Sequence, residues 1–400
     1  GAIRMTMIRP DIHWVGAIEW ALEHFHGHEL SVRKGSSYNA YLIRDEKIVL
    51  IDSVKYTHAD TFVAEVEKIV PIHKIDYIIV NHAEPDHGSA LPMLLAKNPN
   101  ATVICSKGGE TSIKRFYPGN WNLKTVKTGE TLNIGKRTLM FFEAQMLHWP
   151  DSMFTYCPEE KILFPNDAFG QHYAHSSRFT DEADQCSLWQ EAEKYFANIL
   201  TPYSGQIIRK VNEFLALDWP IEMICPSHGL IWRKDPVQIV KKYMEWASGS
   251  CEQSAVVLYD SIWKNTEKMA QAICEGLAQE GVSYRLHSAG VSDFNDVMTD
   301  ILRAKALIVG SPTLNNGLMP TIMPHLEMIR GLRFQKKLCA AFGTYGWSGE
   351  AVKRIEEILG GSGFTVAVPG VRAQFAPHEA ELEACRKLGR EIAAKIKAPC

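Results

Sequence analysis

The 400-residue sequence predicts two α/β domains in tandem. Residues 1–250 read as a mixed α/β domain whose strands are covered by helices, and 251–400 as a doubly wound parallel sheet. Three observations predict this. Up to about residue 250, short apolar runs end repeatedly in polar loops, some alternating and some continuous, as strands buried on one or both faces do. The stretch "EWASGSCEQSA" (245–255) is small and polar and marks a linker. Beyond it, strand and helix patterns alternate in five units, the rhythm of an open sheet that binds ligands past the carboxyl ends of its strands.

In the first domain the strands are "KIVLID" (47–52), "DYIIVN" (76–81), "TLMFFEAQM" (138–146), "KILFPND" (161–167) and "IEMIC" (221–225), with helical patterns at 58–69 and 187–199. In the second, "AVVLYD" (255–260), "SYRLHS" (283–288), "ALIVGS" (306–311), "KLCAAFG" (337–343) and "FTVAVP" (364–369) alternate with helices near 266–280, 293–303, 320–331, 349–360 and 378–397. A net charge of −3 gives no general attraction to nucleic acid or anionic lipid. No apolar run approaches the ~20 residues of a membrane span. The opening "GAIRMTMIRP" lacks the apolar core of a secretory signal, so the expected location is the cytoplasm. The nine cysteines are scattered without a C-x-x-C pair, which argues against a disulfide framework, a zinc ribbon or a rubredoxin-type iron site.

Chemistry concentrates in "NHAEPDHGSA" (81–90), where His82, Glu84, Asp86 and His87 crowd the loop after a strand. His148, Asp167 and His228 each follow a later strand. If those strand ends converge, the seven side chains suit two metals about 3.5–4 Å apart, one carboxylate bridging. Imidazole and carboxylate donors without thiolate favour iron, manganese or zinc. The extra anionic oxygen of Glu84 should favour the ferric state, pointing to iron. His58, His73 and His325 lack such company and read as surface or packing residues.

In the second domain three loops follow strands one, three and four. "DSIWKNTEKM" (260–269) offers Ser261, Trp263, Asn265 and Thr266 ahead of a helix, an anion cradle of hydroxyls and backbone N–H groups. Neither G-x-G-x-x-G nor a Walker loop is present there, so a monophosphate fits better than a dinucleotide. "SPTLNNGLMP" (311–320) supplies Pro312, Thr313, Asn315, Asn316 and Gly317, and "GTYGWSGEA" (343–351) supplies Tyr345, Gly346, Trp347, Ser348 and Gly349. Their glycines and aromatics suit a planar ring that Tyr345 or Trp347 stacks on or borders.

The first cluster resembles the metallo-β-lactamase superfamily pattern H-x-H-x-D-H followed by later His, Asp and His. With Glu84 in place of the second His, and with "MLHWPDSM" (146–153), "NDAFGQH" (166–172) and "PSHG" (226–229), the chain resembles the flavodiiron proteins over essentially its whole length. That resemblance implies a metallo-β-lactamase-like αββα sandwich followed by a flavodoxin-like sheet. It implies that His82, Glu84, His148 and Asp167 hold one iron, and Asp86, His87, His228 and the shared Asp167 the other. In parts of the family the position matching His87 turns away from its iron. His26, in "HFHG", and Tyr195, in "EKYFANI", are implied over the open face of the cluster as catalytic residues, with His172 close by. The three later loops resemble those of flavodoxins, with FMN phosphate in the first and the ring between the others. Lys264 and Asn265 depart from the short or glycine residues common there.

The resemblance further implies an oxidoreductase that reduces O₂ to water, NO to N₂O, or both. A reduced diiron pair and FMN hydroquinone together hold the four electrons that O₂ needs, and two suffice for a pair of NO molecules. It implies a head-to-tail homodimer, possible as a dimer of dimers, that brings one chain's FMN beside the other's irons with Trp347 near the contact. No C-x-x-C module follows in the 400 residues, so the expected electron source is a separate protein, rubredoxin first. Two rivals remain: a dinuclear zinc hydrolase with an accessory flavodoxin-like domain, and a carrier that uses only the flavin.

Overall fold

The computed structural model describes residues 7–399. Most of the opening stretch weighed as a signal lies outside them, as does Cys400. The chain forms two compact units. The first runs to Tyr195 and resumes over Tyr203–Met244; the second takes Phe196–Pro202 and the chain from Glu245 onward. The division from sequence, at 250/251, follows the linker composition and contains no such detour. The detour is a short π-helical segment, Phe196–Leu200, directly after the helix Gln185–Tyr195. The linker is also shorter than its composition suggests, because the helix Val237–Ala247 and the strand Glu252–Tyr259 enter it from either side.

In the first unit two sheets face each other. One orders its seven strands as Met7–Arg9, Ile12–Trp14, Tyr41–Arg44, Ile48–Ile51, Tyr77–Ile79, Thr102–Cys105 and Leu123–Thr125. The other orders five: Thr131–Asn133, Thr138–Glu143, Met153–Cys157, Ile162–Asn166 and Met223–Pro226. Alternation puts Ile43, Val49, Ile51, Ile79 and Ile104 of the first sheet into one core with Leu139, Phe141, Met153, Phe164 and Met223 of the second. The residues between those, Phe142 and Phe154, turn outward and meet Phe214 of the helix Ser204–Ala216 at 5.7 Å each. The helix Ala59–Ile69 likewise buries one stripe, Phe62, Val63 and Val66. This is an αββα sandwich.

The second unit is a parallel sheet in the order Ser283–Ser288, Glu252–Tyr259, Ala304–Gly310, Leu338–Tyr345 and Thr365–Val366. Counted along the chain this is 2-1-3-4-5, with its reversal point between Glu252–Tyr259 and Ala304–Gly310. The single strand expected at 364–369 is instead two short ones, Thr365–Val366 and Val371–Gln374, both paired to Leu338–Tyr345. "AVPG" between them interrupts the ladder, since a proline cannot donate to it. The helices Asn265–Gln279 and Glu379–Lys397 cross closely at Gly276 and Gly389. A Cβ at Gly276 would stand 2.1 Å from the Arg386 carbonyl, and one at Gly389 2.3 Å from that of Ile273. Among the described residues no helix is long and apolar enough to cross a membrane.

Candidate functional site

The strand Tyr77–Ile79 delivers the loop that carries His82 and Glu84, and the short helix Pro85–Gly88 carries Asp86 and His87. The loop is pinned from below. Asn81 donates its backbone N–H to Asp52 Oδ1 (2.9 Å) and its side-chain amide to Asp52 Oδ2 (3.1 Å), and Asn81 Oδ1 accepts from the Thr155 hydroxyl (2.8 Å). These contacts lock the first sheet to the second. In the second sheet Thr138–Glu143 and Ile162–Asn166 both run antiparallel to Met153–Cys157, and Met223–Pro226 runs parallel to Ile162–Asn166. The three strands therefore point the same way and end at one edge, followed by His148, Asp167 and His228. Met146 (φ 68°) and Asn166 (φ 59°) adopt the left-handed conformation beside two of these residues. Non-glycine residues take it uncommonly.

All seven candidate ligands come together as two groups, His82/Glu84/His148/Asp167 and Asp86/His87/Asp167/His228, each with its ligand atoms within 4.8 Å of one another. Asp167 belongs to both through different oxygens. Its Oδ2 lies 3.0 Å from His148 Nε2 and 3.3 Å from His82 Nε2; its Oδ1 lies 2.8 Å from His87 Nε2 and 3.4 Å from His228 Nε2. Glu84 Oε2 stands 3.0 Å from His82 Nε2, and Asp86 Oδ2 3.0 Å from His228 Nε2. His87 turns its Nε2 toward the group, 3.1 Å from Asp86 Oδ2, while its buried Nδ1 has no hydrogen-bond partner among the described residues.

The donor chemistry fits a pair of cations. Three carboxylates, Glu84, Asp86 and Asp167, are packed together in the protein interior, and burial opposes their charge. The facing imidazoles nevertheless hold all three well below the usual carboxylate range. Burial likewise resists protonation of His82, yet Asp151, Glu84 and Asp167 hold its proton affinity well above normal. An interior that concentrates this much negative charge demands positive charge in return, which metal ions would supply.

Around the cluster, His26 (φ 53°) places Nε2 3.0 Å from Glu84 Oε1 and Nδ1 3.3 Å from Glu29 Oε2. Burial opposes its charge, but these carboxylates push its pKa up to about 10. Tyr195 is buried with its ring 5.1 Å from that of His172 and 6.3 Å from that of His228. Burial, reinforced by Asp167, keeps its hydroxyl protonated and so a donor. His172 lies 4.8 Å from the His228 ring with Nδ1 2.8 Å from Ser36 Oγ, and burial keeps it neutral. Asp151 was not among the sequence candidates. Its Oδ1 lies 2.8 Å from His82 Nδ1 and its Oδ2 accepts the Ala83 N–H at 2.8 Å. The acid was visible in "MLHWPDSM", but no spacing pattern links it to a histidine 69 positions earlier.

In the second unit the three candidate loops follow neighbouring parallel strands and so share the carboxyl edge of the sheet. The helix Asn265–Gln279 starts without a side-chain cap, leaving first-turn N–H groups for an anion. Lys264, at its N-cap, has φ 65°, the conformation a glycine would supply freely. Thr266 is buried, its Oγ1 2.8 Å from Thr344 Oγ1. Asn315 (φ 50°) and Asn316 (φ 59°) form a tight turn closed by reciprocal hydrogen bonds between Leu314 and Gly317. The Ser348 hydroxyl donates to Asn316 Oδ1 (3.1 Å) and the Ala351 N–H to Thr313 Oγ1 (3.2 Å), tying the second loop to the third. Ser261 donates its N–H to Asp260 Oδ1 at 2.7 Å, and Pro312 follows the buried Ser311. Gly346 accepts from the Gln374 amide at 2.9 Å; Gly349 accepts from Arg372, whose guanidinium lies over the Tyr345 ring at 5.3 Å. Trp263 and Trp347 are 84% and 92% exposed, unlike core aromatics, and are free to border a ring.

Comparison with known proteins agrees with this two-part reading. Residues 37–229 match the family described as ODP family beta lactamase, and 257–389 match flavodoxin. The chain is 46% identical over 391 residues to a nitric oxide reductase of Moorella thermoacetica, covering 97% of this chain and 98% of that protein. It is 44% identical to an anaerobic nitric oxide reductase flavorubredoxin of Pectobacterium atrosepticum, covering 96% of this chain and 76% of that protein. The solved rubredoxin oxygen:oxidoreductase of Desulfovibrio gigas superposes with a TM-score of 0.96 at 38% identity, 98% of each chain covered. The flavodiiron protein of Giardia intestinalis gives 0.93 at 37% identity, covering 98% of this chain and 96% of that one. A buried dinuclear carboxylate–imidazole cluster on an αββα sandwich, followed by a 2-1-3-4-5 flavodoxin sheet and matched along nearly its full length by these relatives, places the chain in the flavodiiron protein family.

Proposed function

We propose that the chain is an FMN- and diiron-dependent reductase of O₂ to water, of NO to N₂O, or of both. The observation that carries the proposal is the pair of four-residue groups joined through the two oxygens of Asp167. His82, Glu84, His148 and Asp167 would hold one iron; Asp86, His87, Asp167 and His228 the other. When bound, the iron pair and the flavin supply the electrons for gas reduction. The protein's part is placement. Asp167 would serve both positions, one oxygen to each, and the protonated hydroxyl of Tyr195 would donate a hydrogen bond to a small polar ligand, as would His26 on releasing Glu84 or Glu29. Buried Phe25 and Tyr38 pack at 5.5 and 5.8 Å from the His228 ring and keep bulk water from that side.

For the flavin, Ser261, Asn265 and Thr266 at the uncapped helix start would take the phosphate. Pro312, Thr313, Asn315, Asn316 and Gly317, with Tyr345, Gly346, Trp347, Ser348 and Gly349, would border the ring, and Trp263 of the first loop would line the flavin with them. A relative named for NO and a structural neighbour named for O₂ support the two activities. Rubredoxin is the proposed donor, supported by the names rubredoxin oxygen:oxidoreductase and flavorubredoxin. A head-to-tail homodimer and a cytoplasmic location complete the proposal, the latter supported by eight described cysteines that are all free.

The zinc hydrolase reading is disfavoured by Glu84 in a histidine's place and by the flavodoxin match. The test is composition and turnover together. Protein made with adequate iron should hold about two irons and one FMN per chain. After anaerobic reduction, O₂ and NO offered separately rank the two activities. Zinc in place of iron, with no turnover of either gas, would overturn the proposal.

A further inference from the structure

The four imidazoles of the cluster present Nε2 inward, but the groups behind them differ. His228 Nδ1 faces the Ser37 carbonyl at 2.7 Å, and His87 Nδ1 is buried with no hydrogen-bond partner among the described residues. His82 Nδ1 faces a carboxylate, Asp151 Oδ1, at 2.8 Å. The second oxygen of Asp151 is occupied as well, because Ala83, the next residue along the ligand loop, donates its backbone N–H to Oδ2 at 2.8 Å. Asp151 is 2% exposed, so it has no water to prefer over these partners.

Asp151 is itself held from behind. The Ser106 hydroxyl donates to the Asp151 carbonyl at 2.7 Å while its oxygen accepts the Gly109 N–H at 3.0 Å, capping the helix Lys107–Phe116. Gly108 lets the Pro150–Asp151 backbone approach, since a Cβ there would lie 3.1–3.3 Å from it. The carboxylate therefore stands on a rigid helix start and grips both the ring and the backbone of the first ligand.

We propose that Asp151 is a positioning residue that fixes His82 as the Nδ1–H tautomer, and so makes the metal position of His82, Glu84, His148 and Asp167 the more firmly held of the two. The physical reason lies in the proton. A carboxylate can only accept, so Nδ1 must donate and Nε2 must keep its lone pair for the metal. The negative charge also makes the imidazole a stronger donor. Neither His228 Nδ1 nor His87 Nδ1 is hydrogen-bonded to a carboxylate among the described residues, so a carboxylate grip of this kind acts at the His82 position. The inference rests on the metal reading given above.

The test compares Asp151→Asn with Asp151→Ala in the full-length, FMN-loaded chain. Iron is stripped by chelation, and ferrous ion is returned anaerobically by equilibrium dialysis against a competing chelator. Asn is isosteric, but one of its two groups is an amide N–H. It must either set that donor against the Ala83 N–H or turn it to His82 Nδ1, which forces the proton onto Nε2. Both variants should therefore lose about 10–100-fold in affinity for one ferrous ion and leave the second within about 3-fold of wild type. FMN content and the far-ultraviolet circular dichroism of the metal-free protein should not change. Full recovery in Asp151→Asn would mean that packing alone matters and would sink the proposal, as would equal weakening of both ions or of neither. Wild-type protein that fails to take up two ions would overturn the metal reading itself, a result distinct from the other three.

Discussion

At the scale of single residues, Glu84 stands where the wider superfamily pattern has a histidine, and the structure puts its carboxylate between His82, at 3.0 Å, and His26, at 3.0 Å. Replacing it with alanine removes an anionic donor from one group and leaves His26 facing a gap. Glu84→Ala should weaken iron retention by more than the about 10–100-fold expected for an outer partner such as Asp151. Gas turnover should fall with it while FMN stays bound. Iron and flavin assays on the same preparation check this; unchanged iron content would remove Glu84 from the ligand set. The sequence exposed the ligand candidates because metal donors come from few residue types and four of them crowd one loop. It did not expose Asp151, whose partner is distant along the chain, nor the bare Nδ1 of His87, which depends on what fails to pack behind it.

At the scale of elements, one close helix crossing is set by two glycines. Alanine normally favours a helix over glycine by about 1 kcal/mol. At Gly389 the new Cβ would meet the Ile273 carbonyl at 2.3 Å and the Gly276 Cα at 3.0 Å, backbone that cannot swing aside. Overpacking costs about 1–3 kcal/mol or more, so it outweighs the propensity gain. Gly389→Ala should lower the unfolding temperature of the flavodoxin-like unit by several degrees, at roughly 2–4 °C per kcal/mol. Thermal release of flavin fluorescence would report it, and an unchanged or higher midpoint would show that the two helices can part. The patterning that placed helices near 266–280 and 378–397 agrees closely with Asn265–Gln279 and Glu379–Lys397. It failed where local preference and pairing disagree: the expected fifth strand breaks in two around Pro369 and Gly370, and the linker is eroded by the elements flanking it.

At the scale of the whole molecule, the proposed head-to-tail dimer makes a prediction that a monomer cannot share. A Glu84→Ala chain keeps its flavin and has a defective iron site. A Ser261→Glu chain, with a second negative charge set against the phosphate, keeps iron and loses flavin. Each alone should be inactive. Co-expressed, random pairing makes half of the dimers mixed with one working flavin–iron pair each, so turnover should return to about a quarter of wild type per chain. No recovery, in a mixture that light scattering shows to be dimeric, would mean that electrons pass within one chain.

By itself the sequence determined the class of both units, the ligand types and the three loops at the second sheet's edge. These are written in short range, as hydrophobic period, turn residues and the clustering of rare donor side chains. Only the tertiary structure decided that Asp167 turns one oxygen to each group, that Asp151 stands behind His82, and that Ser37 stands behind His228 across 191 positions. Such contacts follow from strand register and from the direction in which three separate strands end. No local pattern encodes them, because any one strand could run either way until the sheet that pairs it is formed.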